Sequence, residues 1–338
     1  MRDPAALEER LSRPGEALVE DLRRLEGDIV VLGAAGKLGP SLVRLAVRGV
    51  AAAGTGARVV AVSRFGRPGS AEELSDAGAE VVAADITDEN ALAALPDAAN
   101  VVYLVGAKFG TEGNEHATWA TNAYLPGRVA ERYAGARISA LSTGNVYPLV
   151  PVGSGGCTEQ DPVGPVGEYA MSCLGRERVL THFARRSGTP MALIRLNYAV
   201  EMRYGVLVDL ARQIAAKEPV DLTTGFANIV WQGYANEVTL RALLHADVPP
   251  FVLNLTGPET LSIRKAAMRM AELLGANVTF SSAETGTALL SDASRCHGLF
   301  GYPQLAVDAL LTATAEWVRS GLPLLDKPTH FQSRDGKF

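Results

Sequence analysis

A glycine-rich turn between an apolar strand and a helix constrains the fold of this chain more than any other feature. The segment Asp28–Leu32 is a short apolar run, typical of a strand that is buried on both faces of a parallel sheet. Gly33, Gly36 and Gly39 follow it, and Pro40 stands in the first helical turn, where its missing N–H costs nothing. This spacing lets the backbone turn tightly and approach a phosphate at the helix N-terminus. The alternative is a glycine turn that binds nothing, and the surrounding sequence has to decide between the two.

Four further apolar segments repeat the strand pattern and alternate with stretches of helical length. They are Arg58–Val62, Glu80–Asp85, Asn100–Val105 and Arg137–Ser142. Strands that alternate with helices indicate crossover connections, so the fold class is α/β, with a Rossmann-type doubly wound parallel sheet. Ligands of such sheets bind beyond the carboxyl ends of the strands. The residues expected at that edge include Gly33, Arg64, Asp85, Gly106 and Thr143.

The composition fits a soluble cytoplasmic enzyme. With 338 residues, 47% of them hydrophobic, the chain can bury a large core, and its net charge of −5 gives no reason to expect nucleic acid or an anionic membrane as a partner. No apolar run approaches the ~18 residues of a membrane-spanning helix, and residues 1–24 lack the apolar stretch of a signal peptide. Three unpatterned cysteines predict neither disulfides nor a zinc site, and no metal is expected.

Other landmarks follow the glycine turn in an order that resembles one known family. They are Asp85-Ile86 after the third strand, Asn122 after the fourth, the segment Ser142–Tyr147 after the fifth, and Tyr169. From about residue 28 to about residue 318, the chain resembles an extended short-chain dehydrogenase/reductase of the NAD-dependent epimerase/dehydratase family. The resemblance implies a nicotinamide dinucleotide cofactor, a small-molecule substrate and a smaller C-terminal substrate lobe. It also leaves a homodimer open.

The resemblance divides the chain into several parts. A helical extension (1–26) precedes a dinucleotide-binding Rossmann domain (27–198), to which segment 228–255 is expected to return. Residues 199–227 and 256–325 would form the substrate-binding lobe. Residues 326–338 form a tail, which is expected either to be disordered or to dock on its own domain or on a partner subunit.

The end of the second strand bears on the choice between NAD and NADP. An acidic residue there would bind the ribose 2′-hydroxyl of NAD, whereas an arginine accommodates the 2′-phosphate of NADP. The segment Ser63–Arg67 has two arginines and no acid, which favours NADP over NAD. Alternatively, Arg64 stacks on the adenine or is solvated. The full set of expected cofactor-binding residues is Gly33, Gly36, Lys37, Leu38, Gly39, Arg64, Asp85, Ile86, Val105, Gly106, Ala107, Asn122 and Tyr169.

The catalytic signature departs from the family pattern. By resemblance, Tyr169 moves a proton to or from a substrate oxygen and Thr143 orients that oxygen. The family's lysine, which holds the nicotinamide ribose and lowers the tyrosine pKa, is replaced by Cys173. Lys108, in the loop after the fourth strand, is a candidate for the missing charge, although a solvated surface lysine is an equal alternative. Cys173 is interpreted first as a packing residue, with a thiol near the cofactor or a nucleophile as the alternatives.

The expected substrate-binding residues lie mainly after the sixth strand. They are Asn145, Asn197, Glu201, Arg203 and Tyr204, whose polar groups suit a polyhydroxylated or acidic ligand. The expected function is that of an NAD(P)-dependent oxidoreductase, epimerase or dehydratase acting on a small polar hydroxyl or carbonyl compound such as a sugar, sugar acid or nucleotide sugar. The alternative is a catalytically impaired dinucleotide-binding sensor or regulatory protein.

Overall fold

A seven-stranded parallel sheet forms the centre of the protein in a computed structural model that describes residues 3–110, 112–327 and 329–337. The strands are β1 (Ile29–Leu32), β2 (Val59–Ser63), β3 (Glu80–Ala83), β4 (Asn100–Tyr103), β5 (Arg137–Thr143), β6 (Met191–Leu196) and β7 (Phe251–Leu255). Their spatial order is β7-β6-β5-β4-β1-β2-β3, and every neighbouring pair is parallel. The expected doubly wound sheet is confirmed, and the order reverses between β1 and β4.

Helices cover both faces of this sheet and build the C-terminal part. They are α1 (Pro4–Leu11), α2 (Glu16–Arg24), α3 (Gly39–Ala53), α4 (Ser70–Ser75), α5 (Glu89–Ala93), α6 (Glu115–Trp119), α7 (Leu125–Arg132), α8 (Gly167–Ser187), α9 (Val206–Ala215), α10 (Gln232–Arg241), α11 (Ile263–Leu274), α12 (Ser294–Phe300) and α13 (Val307–Arg319). A π-helical turn, Ala120–Tyr124, joins α6 to α7. None of the helices in the described ranges has the length and apolarity needed to cross a bilayer.

Shorter elements complete the fold. Single 3-10 turns occupy Gly144–Val146, Val152–Ser154 and Ala242–His245. Pairs of two-residue strands join Val150–Pro151 to Thr287–Ala288, Ala199–Val200 to Val230–Trp231, Val220–Asp221 to Phe280–Ser281, and Phe226–Ala227 to Leu261–Ser262.

The central strands are apolar at successive positions because both faces of the sheet are covered. In β1, Val30 and Leu32 belong to the core beneath α7 and α8. Ile29 and Val31 belong to the opposite core, which the apolar side chains of α2, α3 and α10 complete. Alternation of side chains along a strand sends neighbours to opposite faces, so a strand between two helical layers needs apolar residues throughout.

The N-terminal helices pack on the rest of the chain. Leu18 and Leu22 of α2 are buried against α3, and a Cβ at Gly49 would collide with Leu22, so glycine permits this close approach. Leu7 and Leu11 of α1 are buried in the core that also contains α9 and α11. The leucine pattern of the extension therefore reflects packing against the chain itself.

The C-terminal tail also docks on its own chain. Phe331 is 1% exposed. The Thr329 hydroxyl donates to the Asp209 carboxylate of α9 at 2.6 Å, and the Arg334 guanidinium donates to the Thr287 carbonyl at 2.8 Å. Of the alternatives open at the sequence level, docking on its own chain is the one seen for residues 329–337, and it brings the tail over the carboxyl edge of the sheet.

Candidate functional site

The glycine turn leaves the start of α3 open to a ligand. Gly33 has a φ of +90°, and a Cβ there would lie 3.1 Å from a Val105 methyl group. A Cβ at Gly39 would collide with the Ala34 carbonyl, so both glycines are required by close packing. No side chain caps the N-terminus of α3, and its first N–H groups can therefore meet the phosphates of a dinucleotide. This geometry fits the cofactor implied by the sequence.

Asn122 fixes the loop that follows β4. Its side-chain oxygen accepts from the Ala107 N–H and its amide nitrogen donates to the Ala107 carbonyl, both at 2.8 Å. The same amide donates to the Ser172 hydroxyl at 3.0 Å, and the oxygen also accepts from Arg176 at 3.0 Å. Asn122 is completely buried and its hydrogen bonds are used within the protein. It therefore positions the Val105–Ala107 loop.

The two arginines after β2 have different surroundings. Arg67 forms two hydrogen bonds with the Glu73 carboxylate, at 2.9 and 2.8 Å. The Arg64 side chain is 79% exposed, and its guanidinium lies 3.8 Å from Asp85. Asp85 in turn accepts from the Thr87 N–H and hydroxyl, beside the buried Ile86. Of the two arginines, Arg64 is therefore the one positioned to meet a ligand at this edge.

A cavity of about 220 Å³ lies beyond the carboxyl ends of β5 and β6. It brings together residues that the sequence predicted separately as cofactor-binding, catalytic and substrate-binding. The predicted residues that line it are Lys37, Leu38, Gly106, Lys108, Thr143, Asn145, Tyr169, Asn197 and Tyr204. Arg176 and Thr329 also line it, and sequence reasoning missed both.

The two predicted proton-handling residues meet in this cavity. The hydroxyl groups of Tyr169 and Thr143 lie in the same cavity and interact with each other, and the Thr143 oxygen accepts from the Asn145 N–H at 3.2 Å. Tyr169 comes from the first turn of α8 and Thr143 from the end of β5. Burial raises the pKa of Tyr169 well above its ordinary value, and nearby Arg176 opposes that rise. At neutral pH the phenol is protonated.

Cys173 is one helical turn from Tyr169 and is 1% exposed. It packs with Val146, Tyr147 and Cys157, and its thiol lies near the Tyr169 hydroxyl and interacts with it. Burial raises the pKa of the thiol, which keeps it neutral and unsuited to nucleophilic attack. The surroundings are those of a packing residue.

Two cationic side chains, Lys108 and Arg176, line the same cavity as Tyr169 and Thr143. The Lys108 ammonium donates to the Thr329 carbonyl of the tail at 3.2 Å, and burial lowers its pKa to about 8. The Arg176 guanidinium is buried and donates to the carbonyls of Leu141 and Asn122, at 2.6 and 3.1 Å. Arg176 stands three residues after Cys173, so the spacing along α8 was a signal that could have identified it.

The residues after β6 divide between the cavity and the protein interior. Asn197 is buried, and within the described part of the chain its amide nitrogen has no hydrogen-bond partner. Glu201 and Arg203 do not line the cavity. The Arg203 backbone N–H and guanidinium donate to Glu201, and the guanidinium also donates to Glu8 of α1 at 2.7 Å. The predicted substrate contact of Glu201 and Arg203 therefore has no support in this geometry, because Arg203 binds both Glu201 and Glu8 of α1.

A buried polar network supports the end of β5. The Ser142 hydroxyl donates to Glu177 at 2.6 Å, and Arg195 binds the same carboxylate through two hydrogen bonds of 3.0 and 2.7 Å. Arg195 also donates to the Tyr147 hydroxyl at 2.7 Å, which donates to Asn254. These paired groups hold β5, β6, β7 and α8 in fixed positions around Thr143. The described residues contain no cluster of His, Cys, Asp or Glu that could hold a metal ion.

The model of the NAD dependent epimerase/dehydratase family matches residues 29–246. A search of curated protein sequences found no match. Among solved structures, Pal from Bacillus thuringiensis is similar with a TM-score of 0.72 and 17% identity, covering 87% of this chain and 99% of that chain.

Two sugar-nucleotide epimerases show the same likeness. A mutant of UDP-glucuronic acid 4-epimerase from Bacillus cereus, in complex with UDP-4-deoxy-4-fluoro-glucuronic acid and NAD, has a TM-score of 0.72 at 18% identity, covering 87% of this chain and 99% of that one. UDP-glucose 4-epimerase from Thermotoga maritima, with UDP-glucose, has a TM-score of 0.71 at 18% identity with the same coverage. At these identities the likeness establishes a shared fold.

Proposed function

Because the chain belongs to the NAD-dependent epimerase/dehydratase family, we propose that it is an active NAD(P)-dependent enzyme that oxidises, reduces, epimerises or dehydrates a small polar hydroxyl or carbonyl substrate. The substrate class is a sugar, sugar acid or nucleotide sugar. The observation that carries this proposal is that the hydroxyl groups of Tyr169 and Thr143 meet in a cavity beside the glycine turn. A protein that only bound a dinucleotide would have no evident need for the pair.

The cofactor would lie along the carboxyl edge from β2 to β5. The N–H groups at the start of α3 would hold its diphosphate, Asp85 and Ile86 its adenine, and the loop fixed by Asn122 its nicotinamide ribose. A bound nicotinamide would supply the hydride acceptor or donor. We assign NADP as the preferred form because Arg64 is exposed and the segment Ser63–Arg67 at the end of β2 contains no acid. Residues 27–198, to which segment 228–255 would return, would form the cofactor-binding domain, and residues 199–227 and 256–325 would form the substrate-binding lobe.

Tyr169 would transfer the proton at the substrate oxygen, and Thr143 would orient that oxygen. The raised pKa of Tyr169 keeps the phenol protonated, which suits it to protonate a carbonyl oxygen during reduction. In the opposite direction the phenolate needs positive charge nearby. Lys108 is the predicted source, and the buried guanidinium of Arg176 is a second one that already lowers the Tyr169 pKa.

A substrate panel tests the proposed function. Purified protein would be incubated with NAD⁺ or NADP⁺ and with sugars, sugar acids and nucleotide sugars, while nicotinamide absorbance is followed. Because an epimerase produces no net change in the cofactor, products would also be separated and identified. The expected result is turnover of at least one compound, lost in the Tyr169→Phe variant. Cofactor binding without turnover of any compound would contradict the proposal and favour a sensor.

A further inference from the structure

The wall of the cavity carries several cationic side chains. Lys37, Lys108 and Arg176 line it, and none of its described lining residues is an aspartate or a glutamate. The nearest acidic groups are directed elsewhere. Glu201 accepts from Arg203, and Asp209 accepts from the N–H and hydroxyl of Thr329. The cavity therefore presents cations to whatever enters it.

Lys37 reaches this cavity from the glycine turn itself. Its side chain crosses to the residues after β6, where the ammonium donates to the Ala199 carbonyl at 2.8 Å and lies 3.3 Å from the centre of the Tyr204 ring. Among the described residues, no carboxylate forms an ion pair with Lys37. An ammonium group has three N–H donors, so one carbonyl and one ring face leave donor capacity for a ligand.

A second unused donor lines the same cavity. The amide nitrogen of Asn197 is buried and has no hydrogen-bond partner among the residues that the structure describes. Its neighbour across the backbone is Gly144, where a Cβ would collide with the Asn197 side chain. The amide is therefore held in place by tight packing. A buried donor without a partner is costly, and a ligand oxygen would satisfy it.

The size of the cavity limits the ligand. Its volume of about 220 Å³ lies below the roughly 300–1,000 Å³ of pockets for drug-sized ligands. The docked tail contributes Thr329 to the lining and is tied there by Asp209. This space favours a compact molecule over a substrate with an attached nucleotide.

We propose that the substrate carries an anionic group, a carboxylate or a phosphate, and that Lys37 and Asn197 bind this group. The inference rests on the proposed function and narrows its substrate to compact hydroxy acids or sugar phosphates. The contact with Ala199 and Tyr204 places the Lys37 ammonium on the wall opposite the glycine turn. This position favours a substrate-binding role for Lys37, whereas the sequence predicted a cofactor-binding role.

Three probes that differ only at one carbon test this assignment. Glucose, glucuronate and glucose 6-phosphate would be titrated by calorimetry into protein saturated with reduced cofactor, which prevents oxidation of the probe. We expect both anions to bind about 10-fold or more tightly than glucose, as a charge-assisted contact predicts. Lys37→Met should remove that advantage, Lys37→Arg should retain part of it, and glucose affinity should change little in either.

The control is Lys265→Met, which makes the same substitution at an exposed lysine of α11 and should leave all three affinities unchanged. The cofactor affinity of the Lys37→Met variant shows whether Lys37 binds the anionic group of the substrate or the diphosphate of the cofactor. If it falls by the same factor as the anion affinity, Lys37 binds the cofactor diphosphate and the proposal is overturned. Equal binding of glucose and both anions, or binding of none of the three, would overturn it as well.

Anion affinity measured against pH gives a second test, because a lysine with a purely structural role would not make this affinity depend on its own protonation. Burial lowers the pKa of Lys37 to about 7, and Glu201, Lys108 and Asp209 also act on it electrostatically. Above pH about 7 the free ammonium loses its proton, so anion affinity should fall with rising pH in the unaltered protein. In the Lys37→Met variant, the decrease in anion affinity that comes from deprotonation of Lys37 should be absent. A profile identical in both proteins would contradict the assignment.

Turnover separates this inference from the proposed function. Tight anion binding without any nicotinamide chemistry across the panel would overturn the proposed function and leave the anion site standing. Turnover of neutral sugars with no preference for anions would overturn the inference alone.

Discussion

The proposed cofactor side and the proposed catalytic side of the carboxyl edge are built in different ways. At β1 and β4, a ligand would meet backbone N–H groups that glycines expose, and the glycines are required because a Cβ would collide at Gly39. At β5 and β6, the cavity is lined by side chains from the glycine turn, α8, the segment after β6 and the tail. The glycine pattern that the sequence resemblance implies is present on the backbone side, whereas on the side-chain side Cys173 stands where the resemblance implies a lysine.

This difference suggests which features can change within a fold. Backbone recognition depends on how closely two segments approach, and a single added methyl group is enough to prevent it. Recognition by side chains requires only that suitable groups reach the same space, so different segments can supply them. Lys37, Lys108 and Arg176 reach the cavity from three separate segments. Changes on the catalytic side should therefore alter rate without altering cofactor affinity.

The largest expected effect is that of Tyr169→Phe. Loss of the hydroxyl should lower kcat by about 10²- to 10⁴-fold, the range of general acid–base catalysis. Cofactor affinity should stay nearly constant, because the ring and the glycine turn are untouched. Steady-state kinetics and cofactor calorimetry measure the two quantities, with exposed Tyr124→Phe as the control. Normal turnover of the Tyr169→Phe variant would show that another residue transfers the proton.

Lys108→Met should slow the reaction by about 10²-fold, at the lower end of the same range. Removing a cation destabilises the phenolate and raises the pKa of Tyr169. In the oxidative direction, which needs the phenolate, the pH at which the rate levels off should therefore move upward. Measurement of kcat against pH shows the shift, and Lys265→Met is the matched control. If the dependence of kcat on pH is unchanged in Lys108→Met, Arg176 rather than Lys108 is the cation that lowers the pKa of Tyr169.

On the cofactor side, Arg64→Ala should reduce the preference for NADP over NAD by about 10-fold, as expected for one charge-assisted contact. Exposure of the guanidinium screens the interaction and limits its size. Arg67→Ala is the control, because Arg67 is engaged by Glu73 and should not affect the preference. Calorimetry with both cofactors measures the ratio. Equal affinities in the unaltered protein would contradict the NADP assignment.

Cys173→Ala should have the smallest effect on activity. The thiol is neutral and packed among Val146, Tyr147 and Cys157, so its removal should leave kcat nearly unchanged. The small cavity should lower the free energy of unfolding by about 1 kcal/mol. Urea unfolding and steady-state kinetics check the two expectations. An inactive but folded variant would show that the thiol takes part in the reaction.

Several parts of the site were predictable from the sequence because their determinants are local. The apolar runs of β1 to β5, the glycine turn and the positions of Thr143 and Tyr169 all follow from short segments. The contacts of Glu201 and Arg203 were not predictable in this way. Arg203 pairs with Glu201 and also with Glu8 of α1, which lies 195 residues earlier in the chain. A polar residue after a strand has several possible partners, and packing selects among them.

The sequence by itself determined the α/β class, the parallel sheet and the open N-terminus of α3, because hydrophobic periodicity and glycine spacing act within a few residues. Only the tertiary structure decided which side chains share the cavity. It brought Lys37 across to Ala199 and Tyr204 and placed Thr329 of the tail against Lys108. Such contacts join segments far apart in the chain, and their geometry depends on how the helices and the tail pack on the sheet.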